Sequence, residues 1–170
     1  MRPATLVFLL RGNPPREILL GFKKARFGAG KYNGFGGKIE DGETVPQGAI
    51  RELEEEAGVR VREQDLRQVA VLTFSFPAEP AWDQVVHAFV ATRWDGYPAE
   101  SDEMTPCWFA VDQIPFDRMW QDDAHWLPRV LAGERVQGCF TFGDDNETLT
   151  DAEVQPCGLA ISAFGGLADG

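Results

Sequence analysis

The sequence has little cysteine and little histidine, with 3 and 2 residues respectively among 170. Three cysteines form an odd set without Cys-x-x-Cys spacing, which argues against a disulfide framework and structural zinc: Cys107, Cys139 and Cys157. That usage is typical of a protein in a reducing cytoplasm. No apolar run approaches the ~18 residues of a membrane span. The short apolar segment from Thr5 to Leu10 therefore predicts a buried strand rather than a signal peptide.

Basic residues are also in the minority, with 16 Lys and Arg against 27 Asp and Glu and a net charge of −11. A non-specific grip on DNA or RNA requires basic surface, so the composition disfavours a nucleic-acid polymer as partner. A nucleotide is an anion as well, and an acidic protein would repel it. Bound cations would remove that conflict locally.

Three glutamates, Glu52, Glu55 and Glu56, occupy positions i, i+3 and i+4 of a predicted helix. Residues at this spacing share one helical face, so we expect the three carboxylates to crowd together and repel one another. A divalent cation would relieve the repulsion, and oxygen-only ligands suit Mg²⁺, with Mn²⁺ as the alternative. A carboxylate platform for such a cation indicates phosphoryl chemistry.

The ends of this helix carry clear signals. Thr44 is a predicted N-cap, Gln47 would complete a capping box, and Pro46 falls in the first turn, where its missing N–H costs little. Gly58 is a predicted C-terminal glycine. Four apolar residues at helical spacing should face a sheet: Ala49, Ile50, Leu53 and Ala57.

The rest of the chain alternates apolar segments with turn residues. We predict strands at 5–10, 17–22, 69–76, 84–94, 107–111, 136–142 and 148–154, a second helix at 124–131, and a glycine-rich loop with one short strand at 23–37. Neither a repeat nor a second core is visible, so we predict one domain over 1–155 and a loosely packed C-terminal tail at 156–170. Mixed strands with two helices favour the α/β class, as an α/β/α sandwich.

The segment from Gly37 to Val59 resembles the Nudix box at every specified position of that motif. The resemblance implies the Nudix fold, an α/β/α sandwich with a mixed β-sheet, and pyrophosphohydrolase activity. It also implies that Glu43 and Arg51 pair to brace the loop against the helix. By the same resemblance, the metal ligands are the carbonyl of Gly37 and the side chains of Glu52, Glu55 and Glu56.

The resemblance extends beyond the box to the animal-type MutT homologues, a family of oxidised purine nucleoside triphosphatases. It rests on segments that include Gly21–Lys24, Asn33–Lys38, Glu100–Met104 and Met119–Asp123. It implies conversion of 8-oxo-dGTP, and of 2-hydroxy-dATP, to the monophosphate and pyrophosphate. The turn at 11–16, Tyr32, the stretch 81–84 and the tail depart from that family, and pocket edges of this kind decide base preference.

Substrate contacts follow from the same resemblance. It implies that Asn33, Asp122 and Asp123 bind the purine edge and that Trp120 stacks on the base. Glu103 would supplement the metal site from a loop. Further residues are implied to line the base pocket or the sugar: Phe27, Phe74, Thr5 and Lys23.

The adjacent pair Asp122 and Asp123 suggests a hypothesis about specificity. Neighbouring buried carboxylates rarely both ionise, and a protonated Asp donates a hydrogen bond that an ionised one only accepts. Such a pair could bind both oxidised guanine and oxidised adenine, because moving a proton changes which carboxyl group donates a hydrogen bond and which one accepts. For the attack on phosphorus, Glu56 is the first candidate for the general base, with Glu55 and Glu103 as rivals.

Several alternatives stay open at this point. Other Nudix substrates are a dinucleoside polyphosphate or ADP-ribose, and a different class is a Nudix module that binds a nucleotide without hydrolysing it. A third reading is an acidic protein-interaction domain. Individual residues also have structural readings: Trp120, Phe27 and Phe74 as core, Asn33 as a turn residue, Glu103 as a surface charge, and Asp122–Asp123 as a helix start. We assign no catalytic role to His87 or His125, and we expect a monomer.

Overall fold

A computed structural model of the protein describes residues 1–157. Of the predicted tail at 156–170, residues 158–170 lie outside the described residues. Residues 156 and 157 belong to the folded domain instead, because Pro156 ends the last strand and Cys157 is only 3% exposed.

Eight strands and two helices make up the described chain. The strands are β1 Arg2–Arg11, β2 Glu17–Lys23, β3 Tyr32–Asn33, β4 Arg67–Ser75, β5 Gln84–Ala91, β6 Met104–Ala110, β7 Val136–Phe142 and β8 Leu149–Pro156. The helices are α1 Val45–Ala57 and α2 Asp123–Leu131, and short 3₁₀ turns occupy 63–65, 80–82 and 116–118. Every predicted element is present, with ends that shift by up to about three residues, as is usual for boundaries read from sequence.

The strands form one mixed sheet in the order β3-β2-β1-β5-β4-β7-β8, with β6 paired along β2. Strand β1 runs parallel to β5, and β4 runs parallel to β7. The other pairings are antiparallel, including β5 with β4. One end of the sheet therefore gathers the starts of β1 and β5 with the ends of β4 and β7, and the opposite end gathers the reverse.

Helices cover both faces of the sheet, which confirms the α/β/α arrangement. Side chains of β1 alternate between the faces, because successive residues of a strand point to opposite sides. Val7 and Leu9 pack with α1, while Phe8 and Leu10 pack with α2. The helices contribute their own fully or largely buried residues: Ala49, Leu53 and Ala57 from α1, and Trp126, Leu127 and Val130 from α2.

The ends of α1 are as the sequence predicts. The backbone N–H of Gln47 donates to Thr44 Oγ1 at 3.2 Å, and the N–H of Thr44 donates to Gln47 Oε1 at 2.9 Å, which completes the capping box. Gly58 closes the helix with a φ of 70°, in the left-handed region that glycine adopts without steric cost. Because both ends and the buried stripe are defined, the glutamates of α1 are held in one orientation relative to the sheet.

In residues 1–157 no helix combines the length and the apolar character needed to cross a lipid bilayer.

Candidate active site

A cavity with a volume of about 990 Å³ lies at the end of the sheet where β1 and β5 begin. It brings together nine of the residues predicted for the site: Thr5, Lys23, Phe27, Asn33, Gly37, Glu52, Glu56, Glu103 and Trp120. Six other predicted residues do not line it: Glu43, Arg51, Glu55, Phe74, Asp122 and Asp123. The cavity thus joins the acidic face of α1 to an aromatic wall some 60 residues further along the chain.

Glu56 is the most buried carboxylate of α1, with 4% of the residue exposed. Its Oε1 accepts the backbone N–H of Gly36 at 2.9 Å, and its Oε2 lies 4.0 Å from Lys23 Nζ. Burial raises the pKa of Glu56 to about 8, against the lowering effects of that hydrogen bond and of the lysine. Burial also raises the pKa of Glu52, whose side chain lines the same cavity. Both carboxylates would therefore be stabilised by added positive charge.

Two glycines allow the loop before α1 to approach the sheet and the helix. A Cβ on Gly36 would lie 1.8 Å from the carbonyl oxygen of Thr5, and a Cβ on Gly37 would lie 2.1 Å from Glu52 Oε2. A Cβ on Gly36 would clash with the fixed backbone of β1, whereas a Cβ on Gly37 would displace the Glu52 carboxylate from the cavity. The Gly37 carbonyl in turn accepts the backbone N–H of Thr5 at 2.9 Å, which ties this predicted metal-binding carbonyl to β1.

The predicted brace between Glu43 and Arg51 is present. Arg51 Nε donates to Glu43 Oε2 at 2.6 Å and Arg51 Nη2 donates to Glu43 Oε1 at 3.1 Å, a bidentate pairing. The same guanidinium donates to the carbonyl of Lys38 at 3.0 Å. Hydrogen bonding to Arg51 lowers the pKa of Glu43. The pairing holds the 38–43 loop against α1 beside the cavity.

The three glutamates of α1 have different partners, because Arg51 Nη1 holds Glu55 at 3.2 Å and the Gly36 amide holds Glu56. Their mutual repulsion persists, because in addition to burial, the larger cause, the charge of Glu55 raises the pKa of Glu52 and the charge of Glu52 raises the pKa of Glu56. Within residues 1–157 no three Asp, Glu, His or Cys side chains converge into a preassembled cation site. The donors nevertheless fit a hard divalent cation, because they are all oxygens and two of them, the buried Glu56 and the partly buried Glu52, are carboxylates with raised pKa values.

Glu103 faces the cavity from the loop before β6. Its carboxylate lies 3.5 Å from Lys23 Nζ and 3.0 Å from Arg26 Nη1. Lys23 therefore sits between Glu103 and Glu56. A mobile positive side chain placed between two carboxylates partly replaces the charge that a cation would supply.

The opposite wall of the cavity is aromatic. Trp120 stacks on Phe27 with ring centroids 5.1 Å apart and an interplanar angle of 20°. Trp82 meets Phe27 edge-on at 5.0 Å and also lines the cavity. Lys31 Nζ lies 5.1 Å from the centre of a Trp120 ring, a distance at which a cation is attracted to the ring. A flat aromatic ligand would find a stacking surface here.

Asp122 and Asp123 lie at the start of α2 and are 3% and 2% exposed. Asp122 Oδ2 accepts the indole N–H of Trp126 at 2.9 Å, whereas Asp123 Oδ2 has no hydrogen-bond partner among the described residues. Burial raises the pKa of Asp122 to about 6. Burial, and then the charge of Asp122, raises the pKa of Asp123 well above its ordinary value. The pair therefore favours a protonated form, as the hypothesis about specificity requires.

Two of the residues predicted to contact the substrate are engaged in contacts within the protein itself. Phe74 is buried in the sheet core, where it stacks on Phe140 and Phe142 at 5.4 and 6.3 Å, so it supports the cavity from below rather than lining it. Asn33 lines the cavity, but its Oδ1 accepts the backbone N–H of Gly34 at 2.8 Å. Its two amide N–H donors and the second lone pair of Oδ1 remain for a ligand.

The histidines match the roles expected for them. His87 is buried, and its Nδ1 is hydrogen-bonded to Gln68 Nε2 at 3.0 Å. Burial lowers the pKa of His87, so the ring is neutral in the core. His125 is exposed on α2. Neither lines the cavity.

Sequence reasoning missed three cavity or wall residues, Trp82, Arg26 and Lys31. Trp82 follows a proline-containing loop, and an isolated loop tryptophan was the only available signal. Arg26 and Lys31 lie in the glycine-rich loop beside Phe27. In the sequence, charges in such a loop are typical of an ordinary protein surface. Only the fold brings Glu103 to Arg26 and Trp120 to Lys31.

Comparisons with known proteins agree with this geometry. The NUDIX domain profile matches residues 1–130. Oxidized purine nucleoside triphosphate hydrolase from Mus musculus is 45% identical over 146 residues, covering 86% of this chain and 90% of that protein. The protein of the same name from Danio rerio is 48% identical over 138 residues, covering 81% and 85%.

The crystal structure of a mutator MutT protein from Bacillus halodurans superposes on this chain with a TM-score of 0.78. The superposition covers 91% of this chain and 98% of that one at 23% identity, which supports the fold alone. The family profile and the two vertebrate relatives establish the membership that the box predicted. This chain belongs to the NUDIX family.

Proposed function

We propose that the protein hydrolyses oxidised purine nucleoside triphosphates, such as 8-oxo-dGTP and 2-hydroxy-dATP, to the monophosphate and pyrophosphate. One observation carries the proposal: a single cavity joins the carboxylates of Glu52 and Glu56 to the stacking surface of Trp120. The first suits a metal–triphosphate and the second suits a base. The two vertebrate relatives, whose names state this activity, give independent support.

The cofactor we propose is Mg²⁺, with Mn²⁺ as the alternative, and enzymes of this family work with a divalent metal. Glu52, Glu55 and Glu56 would hold it, with the Gly37 carbonyl and Glu103 as further ligands. When bound, such a cation neutralises phosphate oxygens and acidifies water. The protein itself orients these ligands, because the capped helix and the pairing of Arg51 with Glu43 fix the backbone positions from which the carboxylate side chains extend.

Glu56 is our first choice for the general base. Its burial makes the ionised carboxylate a stronger proton acceptor than an exposed glutamate, and the Gly36 N–H aims it. Lys23 would stabilise negative charge that develops next to it. Glu55 and Glu103 remain rivals: Glu103 lines the cavity 3.5 Å from Lys23, and Glu55 lies one position before Glu56 on α1, paired with Arg51.

Base recognition is assigned to Trp120 for stacking and to Asn33, Asp122 and Asp123 for the purine edge. Asp123 Oδ2 has no partner among the described residues, and a polar atom buried in that state costs free energy until a ligand pairs with it. A protonated Asp123 would donate to an acceptor on the base, and an ionised Asp would accept from a donor. Thr5, Lys23 and Phe27 complete the wall at the sugar and base rim, and Phe74 supports it from the core.

The deciding experiment is kinetics on 8-oxo-dGTP, 2-hydroxy-dATP and dGTP side by side, with Mg²⁺ and detection of pyrophosphate. We expect kcat/KM for the oxidised purines to exceed that for dGTP by at least about tenfold. Faster turnover of ADP-ribose or of a dinucleoside polyphosphate would assign another Nudix substrate instead. Binding without turnover of any of these compounds would indicate a non-hydrolysing module.

We further propose that the protein works as a monomer in the cytoplasm. The elution volume in size-exclusion chromatography tests the first statement, and localisation of a tagged full-length protein tests the second.

A further inference from the structure

A second groove lies at the end of the sheet opposite the candidate active site. Its volume is about 930 Å³. Residues 11–15, which begin the turn between β1 and β2, form one side, and residues 130–135, between α2 and β7, form another. No residue assigned to hydrolysis or substrate binding lines this groove, so the proposed function leaves it without a role.

Four neighbouring strands each place one arginine at this groove. Arg11 ends β1 and Arg93 follows β5, while Arg67 begins β4 and Arg135 precedes β7. Because β1 and β5 are parallel to each other and antiparallel to β4 and β7, all four positions fall at the same end of the sheet. Adjacent strands lie about 4.8 Å apart. The four arginines are therefore neighbours at one end of the sheet and line one groove, and we call them the arginine row.

Most of this row lacks a counter-charge. Arg11 is engaged, with Nη1 3.6 Å from Glu17 Oε1 and its guanidinium 3.8 Å above a ring of Trp108. The other arginines of the row make no side-chain hydrogen bond or ion pair within residues 1–157: Arg67, Arg93 and Arg135. Three unpaired guanidinium groups at one sheet end stand out in a chain with a net charge of −11.

The acidic residues of the groove do not neutralise the row. Asp65 lies 3.9 Å from Arg62, and Glu134 lies 3.0 Å from Arg129, so each carboxylate already faces an arginine outside the row. Apolar residues such as Leu131 and Ala132 line the groove beside the arginines. A ligand of this groove would therefore meet apolar as well as charged contacts, and the unpaired arginines would select for negative charge.

We propose that this groove binds a small anion that carries two or more phosphate groups. A guanidinium presents a planar fork of donors that matches phosphate oxygens, and several forks in a row require several negative charges close together. A diphosphate or triphosphate carries several negative charges within a few ångströms, whereas each carboxylate of an acidic peptide carries one negative charge. The groove volume falls within the range of small-molecule sites.

The test uses the full-length protein in EDTA, where no cation is present to draw phosphate to the carboxylates of α1. Inorganic triphosphate is titrated by calorimetry and by amide NMR. We expect a Kd of about 0.1 to 1 mM, weakened by added salt, with shifts at residues 92–93 and 133–135. The triple variant R67Q/R93Q/R135Q should bind at least about tenfold more weakly. Pyrophosphate, ADP and adenosine in parallel distinguish recognition of phosphate alone from recognition of a nucleotide.

Arg118→Gln is the matched control, because it removes an exposed arginine that lines neither cavity. It should leave triphosphate affinity unchanged, while Arg93→Gln alone should weaken it about threefold or more. Melting temperatures show that the variants are folded. The proposal is overturned by the absence of binding up to about 10 mM, by equal affinity of the triple variant, by shifts confined to residues 36–37, or by tighter binding of hexaglutamate than of triphosphate. None of these outcomes depends on hydrolysis.

Discussion

Two acidic clusters in this protein share the same chemistry and differ in their surroundings. The carboxylates of α1 border an open cavity and are met by positive side chains, with Lys23 4.0 Å from Glu56. Asp122 and Asp123 are sealed at the start of α2, where the partner of one is an indole N–H and the other has an unpaired oxygen. The open cavity gives a cation access to the first cluster, where it would replace the charge that Lys23 supplies. In the second cluster, burial without a neighbouring cation favours protonation of a carboxylate. Identical functional groups thus suit different tasks, because positive charge has access to the carboxylates of the first cluster and not to those of the second.

Loss of a carboxylate from the first cluster should have the largest effect. We expect Glu56→Gln to lower kcat by about a thousandfold or more with little change in KM, since the residue would act on the reacting atoms. The melting temperature without metal should stay the same or rise, because the variant removes a buried carboxylate whose charged form is disfavoured.

Glu54→Gln is the matched control, as an exposed glutamate of α1 that pairs only with Arg60. It should keep wild-type rates. A Glu56→Gln variant that raises KM but keeps kcat would assign that residue a binding role and remove it as the base.

Loss of a carboxylate from the second cluster, whose role depends on protonation, should change the selectivity between substrates rather than the rate of hydrolysis. We expect Asp122→Asn and Asp123→Asn to shift the ratio of kcat/KM for 8-oxo-dGTP and 2-hydroxy-dATP by about ten- to a hundredfold. The two variants should differ, because Asn cannot exchange a proton between the positions. Asp117→Asn, at an exposed position, is the control. An unchanged ratio in both variants eliminates the hypothesis.

The brace beside the first cluster predicts an effect on stability. Arg51→Ala removes the bidentate pairing with Glu43 and the hydrogen bond to the Lys38 carbonyl. We expect the free energy of unfolding to fall by about 1 to 3 kcal/mol, from denaturant titrations. Arg60→Ala, which breaks an exposed pair with Glu54, should cost about 0.5 kcal/mol or less. Equal losses in both variants would show that the brace adds no more than a surface pair.

The pH should change the stability that the second cluster contributes. The folded pKa of Asp122, about 6, lies above its ordinary value of 3.8, so the folded state binds more protons than the unfolded state between these values. Stability from this group is fully present below pH 3.8 and is lost as the pH rises toward 6. Asp122→Asn should therefore lose less stability than wild type over this interval, measured by denaturant titration at several pH values. A parallel pH dependence in the two proteins contradicts the raised pKa.

Much of the fold followed from local sequence signals. The capping box, the closing glycine and the buried stripe of α1 were all visible as residue types at fixed spacing, because helix ends and faces depend on neighbours in sequence. The site was predictable as a set of residues through the Nudix box and the wider resemblance. Its geometry was not, since Glu55 turns to Arg51 and Phe74 lies under the cavity rather than on its wall. Trp82 and Lys31 entered the aromatic wall only through contacts across the fold.

The sequence by itself determined the family, the positions of the helices and strands, and the acidic face of α1, because each depends on residues within about twenty positions of one another. Tertiary structure alone decided which carboxylates lose water, which oxygen stays unpaired, and which arginines of four separate strands share one groove. Those properties depend on distances between segments far apart in the chain, and burial and charge act through space rather than along the backbone.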